Sequence, residues 1–140
     1  FPMAVFLFDL DDLKHMNDSM GHATGDKLIK HFASVLRQNT RNGDILCRYG
    51  GDEFAVILKG MRSASAVIRK SADIVRDTAK FVLSDGTGAA CSGGAVLCEA
   101  GVSMAAALER ADQALYQAKR QRKAGCVLWE GDVACPSEQK

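Results

Sequence analysis

Carboxylates lie at two boundaries between apolar and polar segments of this sequence. Asp9 ends the apolar segment MAVFLFD, and Asp52 and Glu53 follow two glycines in the segment CRYGGDEF. Acids that converge on one spot repel one another and need a counter-charge, which a divalent cation supplies. A small set of hard oxygen ligands with open positions favours Mg²⁺ or Mn²⁺ shared with substrate phosphates. The pattern therefore indicates a metal site, provided that the fold brings the three acids together.

The same segments also allow simpler interpretations. Residues 9–12, DLDD, begin like an EF-hand calcium loop, but Leu13 and Lys14 stand where that loop needs an oxygen ligand and a glycine. A glycine turn with two acids is, taken alone, typical of a solvated hairpin. The pair Gly50 and Gly51 predicts a turn with positive φ, whose bare backbone a nucleotide can approach. An aspartate at the end of a buried strand, some forty residues earlier, favours chemistry over a plain hairpin.

Continuous apolar runs and apolar residues at helical spacing predict the elements that must position these acids. A hairpin flanked by strand–helix units predicts a ferredoxin-like α+β fold, with a central antiparallel sheet and flanking helices packed over its face. In such a sheet the first strand lies beside the central hairpin, so that Asp9 meets Asp52 and Glu53. Small residues at 92–94 predict a close backbone approach. The predicted elements are strands at 3–9, 44–48, 54–58, 89–97 and 126–129, helices at 26–39, 63–82 and 104–118, and a loop with at most a short helical turn at 10–25.

Length and composition limit the classes of function. The 140 residues fit one domain, which we place at residues 1–130 with a flexible tail at 131–140. Lys and Arg number 18 against 17 Asp and Glu, which gives no reason to expect a nucleic-acid polymer or an anionic membrane as partner. Five cysteines without a CxxC spacing indicate free thiols in the cytoplasm. Because the first residue is not Met, we expect an N-terminally truncated fragment, with any sensor or membrane anchor upstream.

Three separated motifs follow one another along the chain: FDLDDLKHMNDSMGHATGD, CRYGGDEF and RADQALYQAK. Together they resemble the GGDEF family of diguanylate cyclases, whose members join two GTP molecules into cyclic di-GMP and release two pyrophosphates. The resemblance implies a GGDEF catalytic domain at 1–130, with a sheet like that of nucleotidyl cyclases and polymerase palms. It also implies Mg²⁺ or Mn²⁺ as cofactor, GTP as substrate and a homodimer of GGDEF domains, since one chain has sequence for one nucleotide site.

The resemblance implies a role for each residue that matches the family's reaction centre. Asp9, the backbone carbonyl of Leu10 and Asp52 would bind the metal ions. Glu53 would assist at the 3′-hydroxyl or at the metal. Lys14, with the backbone amides of the loop before it, would hold the β- and γ-phosphates, and it completes a catalytic set with Asp52 and Glu53.

Further matches concern the base and the rest of the phosphate tail. Asn17 and Asp26 match the pair that reads guanine, since an aspartate can accept from guanine N1–H and N2–H₂ while an asparagine amide serves the acceptor edge. Lys119 and Lys123 lie one helical turn apart at the end of the third helix and would reach the same phosphates. The alternative is that this basic KRQRK segment only complements the helix dipole and solvates the surface.

An RxxD sequence, Arg41 to Asp44, precedes the signature at the offset of the family's product-inhibition site, with Arg48 as a further contact. Arginine forks and a carboxylate suit the edges of guanine. The resemblance therefore implies cyclic di-GMP as an inhibitor as well as the product. An upstream sensor or regulatory domain would control the encounter of two catalytic domains.

The chain departs from the family pattern, and two other functions stay open. Leu13 replaces the usual phenylalanine, and Lys123 and Ala124 replace an arginine and an asparagine, which removes a bidentate phosphate clamp. The first alternative is a catalytically weak or inactive receptor domain for cyclic di-GMP or GTP, which the intact signature opposes. The second is a cyclase that makes another nucleotide, for instance from GTP and ATP, which Asn17 and Asp26 oppose.

Overall fold

The computed structural model describes residues 2–121 and 125–131. Lys123, and the predicted tail 131–140 apart from Gly131, lie outside the described residues. Within them the chain forms five strands and four helices. In chain order these are β1 (Met3–Leu10), α1 (Leu13–Met20), α2 (His22–Gln38), β2 (Ile45–Arg48), β3 (Glu53–Lys59), α3 (Ala64–Thr78), β4 (Cys91–Cys98), α4 (Met104–Arg120) and β5 (Gly125–Leu128).

The strands build one mixed sheet in the order β2-β3-β1-β4-β5. The pairs from β2 to β4 are antiparallel, and β4 pairs with β5 in parallel. Four antiparallel strands in the order 2-3-1-4, with helices after the first and the third, form the ferredoxin-like arrangement. The predicted α+β fold is therefore confirmed, and the parallel edge strand β5 extends it. β1 lies at the centre, directly beside the hairpin of β2 and β3.

Side chains of β1 enter two different cores, because successive residues of a strand point to opposite faces. On one face Phe6 and Phe8 pack with Phe32 of α2, and the ring centroids of Phe8 and Phe32 are 5.9 Å apart. On the other face Val5 and Leu7 pack against α4. Helices thus cover both faces of the sheet rather than one. Burial on both faces explains why β1 reads as an unbroken apolar run.

The segment predicted as a loop, 10–25, is mostly helical. α1 begins at Leu13, and α2 begins at His22, four residues before its predicted start. The prediction was wrong because the segment is polar overall, yet Leu13 and Met16 are buried at i, i+3 spacing and anchor α1 to the core. Gly21, with φ of +89°, separates the two helices.

The second predicted helix is shorter than its apolar pattern indicated. α3 ends at Thr78, whose buried hydroxyl donates to the carbonyl oxygen of Ile74. Beyond it the chain turns, and Val82 pairs with Gly88 in an isolated bridge. None of the helices in the described part of the chain is long and apolar enough to cross a membrane.

Small residues in β4 let α4 lie close to the sheet. A Cβ added to Gly94 would collide with the carbonyl oxygen of Ala111 and the amide nitrogen of Leu115, both in the backbone of α4. A Cβ added to Gly93 would stand 2.6 Å from the ring of Phe8. The close approach predicted from these glycines is therefore confirmed.

We expect Gly94→Ala to lower the free energy of unfolding by about 3 kcal/mol, because α4 must move away from β4 to admit the methyl group. Gly51→Ala is the matched control, since a Cβ there meets no atom within 4 Å; its effect should stay within about 0.5 kcal/mol. Urea unfolding followed by circular dichroism measures both variants. Equal stability of the two would contradict the close packing of α4.

Candidate active site

The signature turn and the end of β1 meet because β1 and β3 are paired in register. Asp9 stands opposite Glu53 on β3 and opposite Ser92 on β4. The backbone N–H of Leu10 donates to the carbonyl oxygen of Asp52 over 3.2 Å. The central strand therefore carries Asp9 to the turn that holds Asp52, as the sequence predicts.

A pocket of about 480 Å³ opens at this edge of the sheet. Four carboxylates, two ammonium groups and one buried hydroxyl line it, so its chemistry is that of charged and oxygen-bearing ligands. The lining residues are Asp9, Leu10, Asp11, Asp12, Leu13, Lys14, Asp52, Ser92, Ala118 and Lys119. Five of them, Asp9, Leu10, Lys14, Asp52 and Lys119, are residues that the sequence assigns to the metal or to the phosphates.

Asp9 and Lys119 form an ion pair inside this pocket. Asp9 is 6% exposed, and the Nζ of Lys119 donates to its Oδ2. Burial raises the pKa of Asp9 from 3.8 to about 6; the neighbouring carboxyl group of Asp52 adds to the rise, and Lys119 opposes it. Burial lowers the pKa of Lys119, but its bond to Asp9 outweighs burial and leaves that pKa above its ordinary value. Lys119 thus supplies part of the counter-charge that the acids need.

The other oxygen of Asp9 suits a cation. Asp9 Oδ1 is buried and has no hydrogen-bond partner among the described residues. A buried carboxylate oxygen without a donor costs free energy, which a proton or a cation beside it would remove. The carboxylates of Asp9 and Asp52 and the carbonyl of Leu10 are hard oxygen donors, and the pocket leaves space for water and phosphate ligands. This donor set fits Mg²⁺, which binds through one or two carboxylates and completes its shell with water and phosphate.

The predicted convergence of three acids is only partly right. Asp9 and Asp52 are neighbours, but nowhere in residues 2–121 and 125–131 do three Asp, Glu, His or Cys groups come close enough to hold a metal ion by themselves. Glu53 lies over Gly50 instead, where an added Cβ would stand 2.5 Å from its Oε1. Glu53 is the first residue of β3 and pairs with Asp9, but its side chain folds back over Gly50 and does not line the pocket.

The prediction of positive φ at Gly50 and Gly51 is wrong, since neither glycine has it. The turn is held by Arg48, whose guanidinium donates to the carbonyl oxygens of Gly50 over 3.1 Å and of Gly51 over 2.6 Å. The missing side chain at Gly50 makes room for Glu53. Gly51 has open space around its Cα, so the bare backbone that the sequence predicts for a ligand's approach is present there.

The start of α1 suits an anion. Asp12 precedes the helix in the left-handed conformation, with φ 58° and ψ 24°, and within the described structure its side chain makes no capping hydrogen bond. Uncapped N–H groups at a helix N-terminus, with the positive end of the helix dipole, attract negative charge. Leu13 and Lys14 of this first turn line the pocket, and Lys14 is exposed. The arrangement can receive a phosphate group.

The residues predicted to read guanine stand on α1 and α2, beyond this first turn. The Asn17 amide packs against Gly25, where any Cβ would collide with it, so that Asn17 is held beside the residue that precedes Asp26. Asn17 Oδ1 is buried and has no partner among the described residues, whereas Asp26 is exposed. Gly25 thus lies within α2 at the point where this helix contacts Asn17 of α1. The unsatisfied amide oxygen is an acceptor that a ligand's N–H could use.

The predicted product-inhibition residues lie on the turn between α2 and β2 and on β2. The carboxylate of Asp44 accepts from the backbone N–H of Arg41 over 2.8 Å and from that of Lys59 over 3.0 Å. Asp44 and Arg48 line a second pocket of about 560 Å³, and Arg41 is exposed. The structure brings Asp44 and Arg48 to one pocket, while Arg41 joins them through its backbone.

The sequence predicts no functional role for two polar residues that line the first pocket, Asp11 and Ser92. Ser92 Oγ donates to Asp11 Oδ1 over 2.6 Å, across 81 residues of sequence. The DLDD segment displays Asp11, but only the pairing of β1 with β4 reveals its partner. The ion pair of Lys119 with Asp9 is likewise not visible in the sequence, because it depends on the path of α4 across the sheet.

Comparison with known sequences gives one consistent result. The sequence profile described as "Diguanylate cyclase, GGDEF domain" matches residues 1–124. Diguanylate cyclase TpbB of Pseudomonas aeruginosa (strain UCBPP-PA14) is 38% identical over 132 residues, which cover 91% of this chain and 30% of that protein. Diguanylate cyclase DosC of Escherichia coli (strain K12) is 31% identical over 136 residues, which cover 94% of this chain and 29% of that protein. The chain spans about a third of the length of these relatives.

Solved structures agree with the sequence comparison. A structure of TpbB from Pseudomonas aeruginosa comprising only the GGDEF domain has 34% identity and a TM-score of 0.84, covering 99% of this chain and 81% of that chain. The GGDEF domain of DgcB from Caulobacter crescentus, solved in complex with c-di-GMP, has 30% identity and a TM-score of 0.83, covering 93% of this chain and 79% of that chain.

The raised pKa of Asp9 predicts a pH-dependent stability. The folded state holds the Asp9 proton up to about pH 6, whereas the unfolded chain loses it near 3.8. The stabilisation from this proton is therefore complete below pH 3.8, falls as the pH rises to about 6, and is absent above it. In Asp9→Asn this side chain is uncharged at every pH. In metal-free buffer at pH 7.5 we therefore expect the free energy of unfolding of Asp9→Asn to exceed that of the parent by about 2 kcal/mol.

Urea unfolding of both proteins at pH 4, 5, 6 and 7.5 checks this expectation. The difference between Asp9→Asn and the parent should shrink toward zero at pH 4. Glu109→Gln removes an exposed charge from α4 and should show a difference close to zero at every pH. A difference for Asp9→Asn that does not change with pH would contradict the assignment.

Proposed function

The chain belongs to the GGDEF domain family of diguanylate cyclases, and on that premise we propose that it condenses two GTP molecules into cyclic di-GMP with release of two pyrophosphates. The observation that carries the proposal is the buried, unsatisfied Oδ1 of Asp9 beside Asp52, in a pocket that the start of α1 also lines. A site with acids on one side and anion-binding groups on the other suits a metal-bound triphosphate. The relatives carry the name diguanylate cyclase for proteins about three times as long.

In this proposal the acids hold one or two divalent cations. Asp9, the carbonyl of Leu10 and Asp52 are the ligands, and Glu53, just outside the pocket, assists at the 3′-hydroxyl or at the metal. Mg²⁺ or Mn²⁺, when bound, would lower the pKa of the attacking hydroxyl and neutralise charge that develops on the phosphates. The reaction is a displacement in which the 3′-oxygen of one GTP bonds to the α-phosphorus of another and pyrophosphate leaves in line.

The basic groups and α1 hold the triphosphate. Lys14 and the first N–H groups of α1 bind the β- and γ-phosphates. Lys119 pairs with Asp9 inside the pocket, so its ammonium group lies where it could also contact a phosphate oxygen. Lys123 is assigned to the same phosphates from sequence alone. The catalytic contribution of these groups is position and charge compensation.

The guanine base is assigned to the two helices beyond the pocket. The carboxylate of Asp26, which is exposed, accepts from the N1–H and N2–H₂ donors of guanine, and the amide of Asn17 serves the acceptor edge of the base. Adenine lacks that donor pair. The assignment supports GTP as the substrate.

The product requires two domains. Each chain supplies one nucleotide site, and a two-fold symmetric product calls for two sites that face each other, as in a homodimer of GGDEF domains. An upstream sensor or regulatory domain would set the frequency of this encounter. Cyclic di-GMP that binds Arg41, Asp44 and Arg48 would inhibit its own synthesis, and the c-di-GMP complex of the similar domain of DgcB supports binding of this product.

Asp52→Ala removes one of the two carboxylates proposed as metal ligands, so we expect metal-dependent release of pyrophosphate to fall at least about 100-fold. The assay follows pyrophosphate from GTP and Mg²⁺ at protein concentrations that allow two domains to meet. Glu109→Ala, an exposed position on α4, is the control and should match the parent. Turnover by Asp52→Ala at the parent's rate would contradict the assignment. A parent that binds cyclic di-GMP and releases no pyrophosphate would favour the receptor function instead.

Arg41→Ala removes an exposed guanidinium from the turn that Asp44 closes, and the backbone bonds of that turn should persist. We expect the concentration of cyclic di-GMP that halves the initial rate to rise by about tenfold, as for a lost charge-assisted hydrogen bond. Rates measured against added cyclic di-GMP give this value. Arg69→Ala, exposed on α3, should leave the inhibition unchanged. If cyclic di-GMP inhibits Arg41→Ala as strongly as it inhibits the parent, Arg41 is not part of the inhibitory site.

A further inference from the structure

The turn between β1 and α1 contains two hydrogen bonds that have no part in the proposed reaction. The backbone N–H of Asp11 donates to the carbonyl oxygen of Ala90 over 3.0 Å. The hydroxyl of Ser92 donates to Asp11 Oδ1 over 2.6 Å. Ala90 and Ser92 flank the first residue of β4. Asp11 is therefore tied to β4 by both its main chain and its side chain.

The bond between the Ser92 hydroxyl and the Asp11 carboxylate is of the short, charge-assisted kind. Ser92 is 3% exposed and Asp11 is half-buried, so water competes weakly for either group. The pocket already contains the carboxylates of Asp9, Asp12 and Asp52, so the repulsion between like charges disfavours a fourth one. Its presence calls for a structural reason.

That reason lies in the next residue. Asp12 is the one non-glycine residue with positive φ in the part of the chain that the structure describes. This conformation costs an L-residue about 1 kcal/mol or more, although Asp adopts it more readily than most, so contacts of the neighbouring residues help to hold it. The Asp12 side chain makes no capping bond that could hold it. The two bonds of Asp11 are the contacts that fix the chain immediately before it.

We propose that Asp11 and Ser92 form a positioning pair that aims the start of α1 at the substrate's phosphates. The Ser92 hydroxyl holds Asp11, Asp11 holds Asp12 in the left-handed conformation, and this conformation directs the first N–H groups of α1 into the pocket. The inference rests on the proposed function, because it takes the ligand of that pocket to be the β- and γ-phosphates of GTP. Neither Asp11 nor Ser92 has to contact the substrate.

Ser92→Ala removes the hydroxyl with little change in volume. We expect it to weaken binding of a non-hydrolysable GTP analogue with Mg²⁺ by about tenfold, the effect of one hydrogen bond to a charged group. Binding of GMP should stay within about twofold of the parent, since GMP lacks the two phosphates that α1 would hold. A purely structural role of Ser92 would affect both ligands alike.

Variants of Asp11 separate positioning from a role as metal ligand. Asp11→Asn keeps an oxygen that accepts from Ser92 and loses the charge, so it should bind the GTP analogue within about threefold of the parent. Asp11→Ala loses the acceptor and should be about tenfold weaker. The double variant Asp11→Ala/Ser92→Ala should be no weaker than Asp11→Ala, because both changes break the same bond.

Isothermal titration of the whole chain with each ligand in Mg²⁺ buffer makes these measurements, with thermal unfolding to verify that each variant is folded. Ser71→Ala is the matched control: its buried hydroxyl donates to the carbonyl oxygen of Val67 on α3, and the change should not affect binding of either ligand. If Ser92→Ala does not fold, the comparison of Asp11→Asn with Asp11→Ala decides.

Three results would overturn the inference: parent-like binding of the GTP analogue by Ser92→Ala, equal weakening of GMP and of the GTP analogue, or Asp11→Asn as weak as Asp11→Ala. A parent chain that binds no GTP analogue at all would be a different failure, because it would remove the proposed function itself.

Discussion

A carboxylate buried at the end of a central strand is unstable as an anion unless positive charge compensates it, and the rest of this site depends on how that requirement is met for Asp9. Lys119 compensates one oxygen, and the other has no hydrogen-bond partner among the described residues. The raised pKa of Asp9 shows that Lys119 compensates only in part. A cation at Oδ1 would complete the compensation, so the buried carboxylate of Asp9 suits the metal site that we propose.

The packing of the fold and the chemistry of the site are linked through α4. Gly94 has no side chain, so the backbone of α4 lies directly on β4. This close contact brings the last turn of α4, and with it Lys119, within reach of Asp9 on the neighbouring strand. On the opposite face the aromatic packing of Phe8 and Phe32 fixes β1 against α2. The strand is thus held from both sides while its end remains open to the pocket.

The sequence predicted most of the fold, because its strongest patterns come from burial. The unbroken apolar run of β1 and the hairpin signature identify the sheet, and the sheet then brings Asp9 to Asp52. The prediction failed where a few individual side-chain contacts decide the structure. α1 depends on two buried residues in a polar segment, Glu53 is placed by local folding over Gly50, and Ser92 acquires its role only when β4 pairs with β1.

The proposed residue roles come from the resemblance to GGDEF domains, and the structure adds the pocket, the burial and the charges that support the proposal. The most direct measurement is the mass of the products after the chain is incubated with GTP, with and without Mg²⁺. We predict cyclic di-GMP, with two pyrophosphates for each molecule of it, formed only when the divalent cation is present. GTP that remains unchanged, or is merely hydrolysed to GDP, in a chain that still binds cyclic di-GMP would contradict it.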